Sequence, residues 1–246
     1  MEEKLSPRAS DIILDFADAV STEAAERLGA RGGERRMTRG FESGYEVWRG
    51  GEDGCRAAVV VTGRERSSGS MGETTLFLRG VLGGFVSGAR SVLCAGIGNR
   101  LVGADSLGAS FCSRVTVGSH GGVSVFAISP GTPAQTGADT ASLIRAAASE
   151  LGADLIVTVD SLSTSSPERL CSLVQIDERG ITPGSAMTHT SGEISRATMP
   201  CRVVSVGVPT AVVLNGIMLT TADIAVQTEF YSTVLASALS AALIGK

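Results

Sequence analysis

Residues 154–160 read D-L-I-V-T-V-D. Five consecutive aliphatic or β-branched residues between two aspartates fit a strand buried on both faces, since a half-exposed strand would alternate with polar residues. The flanking sequence repeats the theme. Upstream, Gly137 to Leu151 carries Leu143, Ile144, Ala147 and Leu151 on one helical face. Before it, V-S-V-F-A-I (123–128) and S-V-L-C-A-G-I (91–97) read as further strands. A helix is expected after Ser106, and another from Glu73 to Ala89. Downstream, L-C-S-L-V-Q-I (170–176) and R-V-V-S-V-G-V (202–208) read as strands, G-E-I-S-R-A-T-M (192–199) as a short helix, and 221–244 as a closing helix. Alternating strands and helices imply a largely parallel sheet covered on both faces. The predicted class is α/β: one domain over 1–246, three layers (α/β/α), with a mixed, mostly parallel sheet.

The N-terminal third fits this pattern less well. Y-E-V-W-R and C-R-A-A-V-V-V-T-G form a hairpin-like pair around G-G-E-D-G (50–54), and 64–71 is a polar loop. Residues 11–28 have helical spacing. Residues 29–40 (G-A-R-G-G-E-R-R-M-T-R-G) read as a loop whose four arginines are solvated. The segment 1–40 is therefore expected to be a helix plus a mobile loop, open to a regulatory use.

Composition excludes several classes. A 246-residue chain with 43% hydrophobic residues and mean hydropathy +0.23 can bury a core, so whole-chain disorder is out. A net charge of −4 argues against general nucleic-acid binding. The five cysteines are odd in number and form no C-x-x-C pair, which argues against a zinc knuckle or a disulfide scaffold. No apolar run is long enough to cross a membrane and the N-terminus lacks signal-peptide character, so the expected location is cytoplasmic.

Ligands of open α/β sheets bind beyond the carboxyl ends of the strands. Asp160 ends one such strand. Asp105 follows another, in G-I-G-N-R-L-V-G-A-D-S-L-G (96–108). Both sit among Gly and Ser, without an adjacent Lys or Arg. Two carboxylates there could share a proton and activate water, or hold a divalent metal. The plainer reading of Asp160 alone is a helix N-cap. The G-I-G-N loop is not a dinucleotide site, because the third glycine position is Leu101. There is no phosphate-binding G-x-x-x-x-G-K-[ST] motif either. His120 and His189 read as turn or loop residues.

The segments between Val92 and Pro209 also resemble, in order and spacing, the spore germination protease family of atypical aspartic endopeptidases. The resemblance rests on G-I-G-N with Asp105 and Leu107-Gly108, S-P-G-T-P-A-Q-T-G (129–137), D-L-I-V-T-V-D-S-L (154–162), S-P-E-R-L (166–170), Q-I-D-E-R-G-I-T-P-G-S (175–185), G-E-I-S (192–195) and V-G-V-P-T (206–210). The chain departs from the family in having Gly103-Ala104 before the first aspartate, where Thr-Pro is usual. The resemblance implies a phosphorylase/hydrolase-like fold and a catalytic pair Asp105 and Asp160, with Asn99, Ser161, Ser185 and Glu193 as supporting residues. It further implies cleavage of small acid-soluble spore proteins inside the spore or forespore, activation from a zymogen, and a homo-oligomer. No cofactor or resident metal is expected from a carboxylate pair. The core is similar, more distantly, to hydrogenase maturation proteases, and a non-catalytic binding protein on the same scaffold is the third alternative.

Overall fold

The computed structural model describes residues 36–52, 54–64, 66–184, 191–215 and 217–245. The expected helix over 11–28, the start of the loop 29–40, Ser185 and His189 lie outside them. The strands are β1 (Arg36–Glu42), β2 (Tyr45–Glu52), β3 (Cys55–Val61), β4 (Ser91–Gly96), β5 (Gly118–His120), β6 (Val123–Ile128), β7 (Leu155–Thr164), β8 (Leu173–Asp177), β9 (Arg202–Leu214) and β10 (Ile217–Leu219). The helices are α1 (Ser68–Val86), α2 (Leu107–Cys112), α3 (Pro133–Thr136), α4 (Thr140–Glu150) and α5 (Ile224–Ile244).

The strands form one mixed sheet in the order β1-β2-β3-β8-β9-β7-β4-β6-β5, with β10 paired to β9. Its parallel part is the central run β9-β7-β4-β6. Every other pairing is antiparallel, so the parallel share is smaller than the sequence reading implied. The reason is topological: β1, β2 and β3 arrive as consecutive hairpins and dock against β8, which runs opposite to β9.

Alternation along the central strands creates two cores. Val92, Cys94, Val157, Val204 and Val206 face one side, where Leu78 and Leu82 of α1, Phe111 of α2 and Leu235 and Leu239 of α5 cover them. Leu93, Ala95, Ile156 and Val203 face the other side, beneath Ile144 and Ala148 of α4 and Ile181, Ile194 and Met199 of an irregular segment. The result is three layers, α/β/α. Each fully buried aliphatic side chain contributes about 1.5–3 kcal/mol relative to exposure, which outweighs the low helix propensity of the five glycines (Gly69, Gly72, Gly80, Gly83, Gly84) inside α1.

Three local expectations are corrected. Arg36–Gly40 is strand, not loop: Arg39 pairs with Glu46 at 2.7 Å across the hairpin and stacks over Phe41 and Trp48. Such cross-strand pairs are what hold a two-residue hairpin, here turned by Ser43-Gly44 with φ of 50° and 85°. The polar loop 64–71 ends early, because Ser67 and Ser70 exchange backbone and side-chain hydrogen bonds as a capping box and start α1 at Ser68. The stretch 192–199 forms no helix. Ile194 instead makes an antiparallel bridge to Ile181, tying the irregular segment to itself.

Candidate active site

Strands β4 and β7 are neighbours, yet the chain leaves β4 toward β6 on one side and leaves β7 toward β8 and β9 on the other. A crevice opens at such a switch point, beyond the carboxyl ends of the strands. It holds a cavity of about 320 Å³. Its walls come from the loop after β4 (Ile97, Gly98, Asn99, Val102, Ala104, Asp105), from β7 (Asp160 to Ser163), from Thr132–Ala134 and Thr140, from Ile181–Gly184 and Ser191, and from Thr210, Ala211 and Met218. Asp105 and Asp160 thus face the same space.

The two carboxylates reach it by different routes. Asp160 belongs to the interior of β7, which runs on to Thr164 past a bulge at Leu162/Ser163. It caps no helix. It sits in register with Gly207 of β9, and its even position in the strand turns it away from Val157 and Val159 toward the α4 side. Asp105 ends a 3-10 turn (Gly103–Asp105) that is built from short-range bonds. Asn99 Oδ1 accepts from the Leu101 amide at 3.0 Å, the Val102 amide donates to Asn99 O at 3.0 Å, and the Asp105 amide donates to Val102 O at 2.8 Å.

Glycines let this turn lie down on the sheet. A Cβ on Gly98, whose φ is +108°, would stand 2.2 Å from the Asp105 carbonyl oxygen. A Cβ on Gly96 would stand 2.0 Å from the carbonyl oxygen of Gly108 in α2. Backbone therefore rests on backbone, and the Ile97 amide donates to Val159 O at 2.9 Å, one residue before Asp160.

Each carboxylate accepts one short bond from a neighbouring amide. The Asn99 amide donates to Asp105 Oδ2 at 2.7 Å, and the Ser161 amide to Asp160 Oδ1 at 2.7 Å. Burial pushes the Asp160 carboxyl up to about 7, the Asp105 charge adds to the rise, and the Ser161 amide opposes it. Burial also raises Asp105 above the usual carboxylate range, against the pull of the Asn99 amide. No Lys, Arg or His lines the cavity among the described residues, and no third carboxylate, Cys or His joins the pair there. The Asp105 charge and burial both disfavour ionisation of Asp160.

The supporting residues named from sequence divide. Asn99 lines the cavity and spans two walls, since Gln135 Nε2 donates to its Oδ1 at 2.8 Å. Ser161 lines it too, and its Oγ is buried with no partner among the described residues. Glu193 is a correction: it is exposed and lines no part of the cavity, because the bridge at Ile194 turns it outward. Ser185 lies outside the described residues, though its neighbour Gly184 reaches the cavity.

A family model described as germination protease matches residues 78–234, well over half of the chain, and spans both aspartates. The chain belongs to the germination protease family. Among curated relatives, the germination protease of Clostridium acetobutylicum is 33% identical over 148 residues, 56% of this chain and 45% of that one. That of Caldanaerobacter subterraneus is 34% identical over 132 residues, 49% of this chain and 41% of the relative. The match thus spans less than half the length of either germination protease. Among solved structures, the chain is similar to the [NiFe] hydrogenase maturation protease HycI from Thermococcus kodakarensis, at TM-score 0.42 and 20% identity, covering 65% of this chain and 98% of that one.

Some site residues of this germination protease homologue escaped the sequence reading. Asp139 caps α4 through the Ser142 amide at 2.8 Å and accepts from Ser191 Oγ at 2.5 Å and the Gly192 amide at 2.8 Å. These bonds, the Ser191 hydroxyl first, hold its carboxyl well below the usual range. It thereby anchors one cavity wall to another. The Asp before T-A-S-L-I was a legible cap signal, but its second role depends on a residue 52 positions away. The β9–β10 hairpin was also missed, although Asn215-Gly216 between apolar runs is a strong hairpin signal.

Proposed function

We propose that this protein is an endopeptidase that cleaves small acid-soluble spore proteins in the spore interior, with Asp105 and Asp160 as the acid–base pair. One observation carries the reading: in a chain of the germination protease family, the two aspartates wall one cavity whose described lining holds no Lys, Arg or His.

Their unequal surroundings assign the roles. Asp160 is buried and its carboxyl is pushed up to about 7, whereas Asp105 is half-exposed and accepts the Asn99 amide, so the ionised form is assigned to Asp105. Pairs whose pKa values are pushed apart divide into acid and base. Asp105 therefore takes a proton from a water molecule as its oxygen attacks the peptide carbonyl carbon, while Asp160 gives its proton to the carbonyl oxygen. The tetrahedral adduct collapses as that oxygen returns its proton to Asp160 and Asp105 passes the water-derived proton to the leaving nitrogen. The C–N bond breaks, one water is consumed, and both carboxyl groups end as they began. Ser161 Oγ, buried at the wall without a partner among the described residues, is available to hold the water or the adduct.

The test is incubation of purified protein with a small acid-soluble spore protein, wild type beside Asp105→Asn and Asp160→Asn. Asparagine keeps size and part of the hydrogen bonding but cannot shuttle a proton, so either variant should lose at least ~10²-fold in rate. Cleavage by Asp160→Asn at the wild-type rate removes that residue from the mechanism.

A further inference from the structure

Isolated exposed apolar side chains are ordinary, but a contiguous set marks an interaction surface. Two short runs of exposed apolar residues flank the cavity. Val102 and Met218 line it and are also 49% and 43% exposed, which puts both at its mouth. Leu101 (83% exposed) extends the first, and Ile217 (62%) and Leu219 the second. In β10 all three residues are apolar and exposed, on a strand paired, among the described residues, to β9 alone. Natural edge strands are normally blunted by charge, yet from Pro209 to Ala222 no residue is charged.

We propose that the β9–β10 hairpin and the loop 99–105 are two apolar jaws that seat an uncharged apolar side chain of an extended polypeptide substrate, with Met218 and Val102 determining specificity. This rests on the endopeptidase reading above. The occupant is a peptide chain rather than a small solute because the edge of β10 away from β9 carries no partner strand among the described residues and so can accept an extended chain. It is apolar because five exposed rim side chains, Leu101, Val102, Ile217, Met218 and Leu219, are apolar, while the charges nearby oppose one another: Arg100 is exposed between Asn99 and Leu101, and the two carboxylates line the cavity. A second copy of the chain seated there would close the mouth and block the carboxylates.

The full chain, labelled with 13C at its methionine methyls, is titrated with acetyl-Gly-Gly-X-Gly-Gly-amide, X being Leu, Lys or Glu. The Leu peptide is expected to shift the Met218 methyl and to bind ~10-fold or more tightly than the other two, the scale of one well-buried aliphatic group. Met218→Glu is expected to invert the order in favour of Lys. Ile217→Glu, on the same hairpin outside the lining, serves as a second variant, with thermal unfolding confirming that each folds. Equal binding of Leu, Lys and Glu, an unchanged order in both variants, or a Met218 methyl that never responds overturns the proposal. So does a change of oligomeric state in the variants without a change in peptide binding. Cleavage of a small acid-soluble spore protein is followed separately: ordered peptide binding without that cleavage leaves the jaws standing and sinks the endopeptidase reading.

Discussion

Thr210 Oγ1 donates a hydrogen bond to the carbonyl oxygen of Ala104 at 2.5 Å, joining strand β9 to the turn that presents Asp105. The Thr210 carbonyl in turn accepts from Thr220 Oγ1 at 2.6 Å, just past β10. The Asp105 turn, the central sheet and the hairpin are thus linked through one buried threonine. Thr210→Val keeps the shape and removes the donor. It should cost about 1–3 kcal/mol, the penalty for a carbonyl left unpaired, measured by urea unfolding. If Thr210 positions Asp105, turnover should fall ~10-fold with little change in KM, and Thr210→Ser should restore it. Equal turnover for Val and Ser variants would reduce Thr210 to a structural role.

Asp160 makes stability depend on pH in a direction opposite to that of a salt-bridged carboxylate. Its folded pKa, about 7, lies above the ~3.9 of an unfolded aspartate. Between those values the folded state binds more protons than the unfolded one, so stability falls as pH rises from 4 to 7. Asp160→Asn removes this penalty. The variant should be more stable than wild type at pH 8, on the order of 2–4 kcal/mol, and no more stable at pH 4. Denaturant melts at both pH values check the sign.

The contact between Gly96 and Gly108 predicts a steric penalty. Gly96→Ala puts a methyl 2.0 Å from a backbone oxygen that no rotamer change can move. The loss should be about 1–3 kcal/mol or more, the range for overpacking. Because α2 must lift from β4, the Asp105 turn should shift with it. Calorimetry and an activity assay should therefore fall together. An alanine at Gly83, where nothing lies within 4 Å, is the control and should stabilise the helix slightly.

Asp139→Ala removes an N-cap and the tie to Ser191 and Gly192. The cap is worth about 0.5–2 kcal/mol. The carboxyl is held below its unfolded pKa, so its contribution is present above pH ~4 and fades as pH falls through the lower folded value. Wild type and variant should converge in strongly acidic melts. Hydrogen exchange at Ser191 and Gly192 should quicken in the variant at neutral pH.

The sheet's central strands were legible because burial on both faces writes long apolar runs, as in 91–97 and 154–160. The antiparallel half was less so. Leu173–Asp177 reads the same whether it runs with or against β9, and nothing local states the direction. The 1–40 region misled at Arg39 only in its backbone: the side chain is half exposed, as its charge suggests, but the loop expected there is a strand whose partners Glu46 and Trp48 lie across a turn. Asp105 and Asp160 stood out because acids beside apolar strand ends are rare and chemically expensive to bury. Thr210, Asp139 and Met218 did not: each matters through a partner or a cavity supplied by remote chain. Glu193 failed for the converse reason, being chosen for its neighbours in sequence and turned away by a single bridge at Ile194.

Asp160 lies in a strand flanked on both sides, whereas Asp105 sits on a short turn held by local backbone and side-chain bonds and by Thr210. The placement of the Asp160 carboxyl therefore rests on the sheet, and that of Asp105 on the bonds of its turn and on Thr210. A selection experiment asking this scaffold for altered chemistry should accordingly collect its substitutions in that turn and its moorings, and leave β7 untouched.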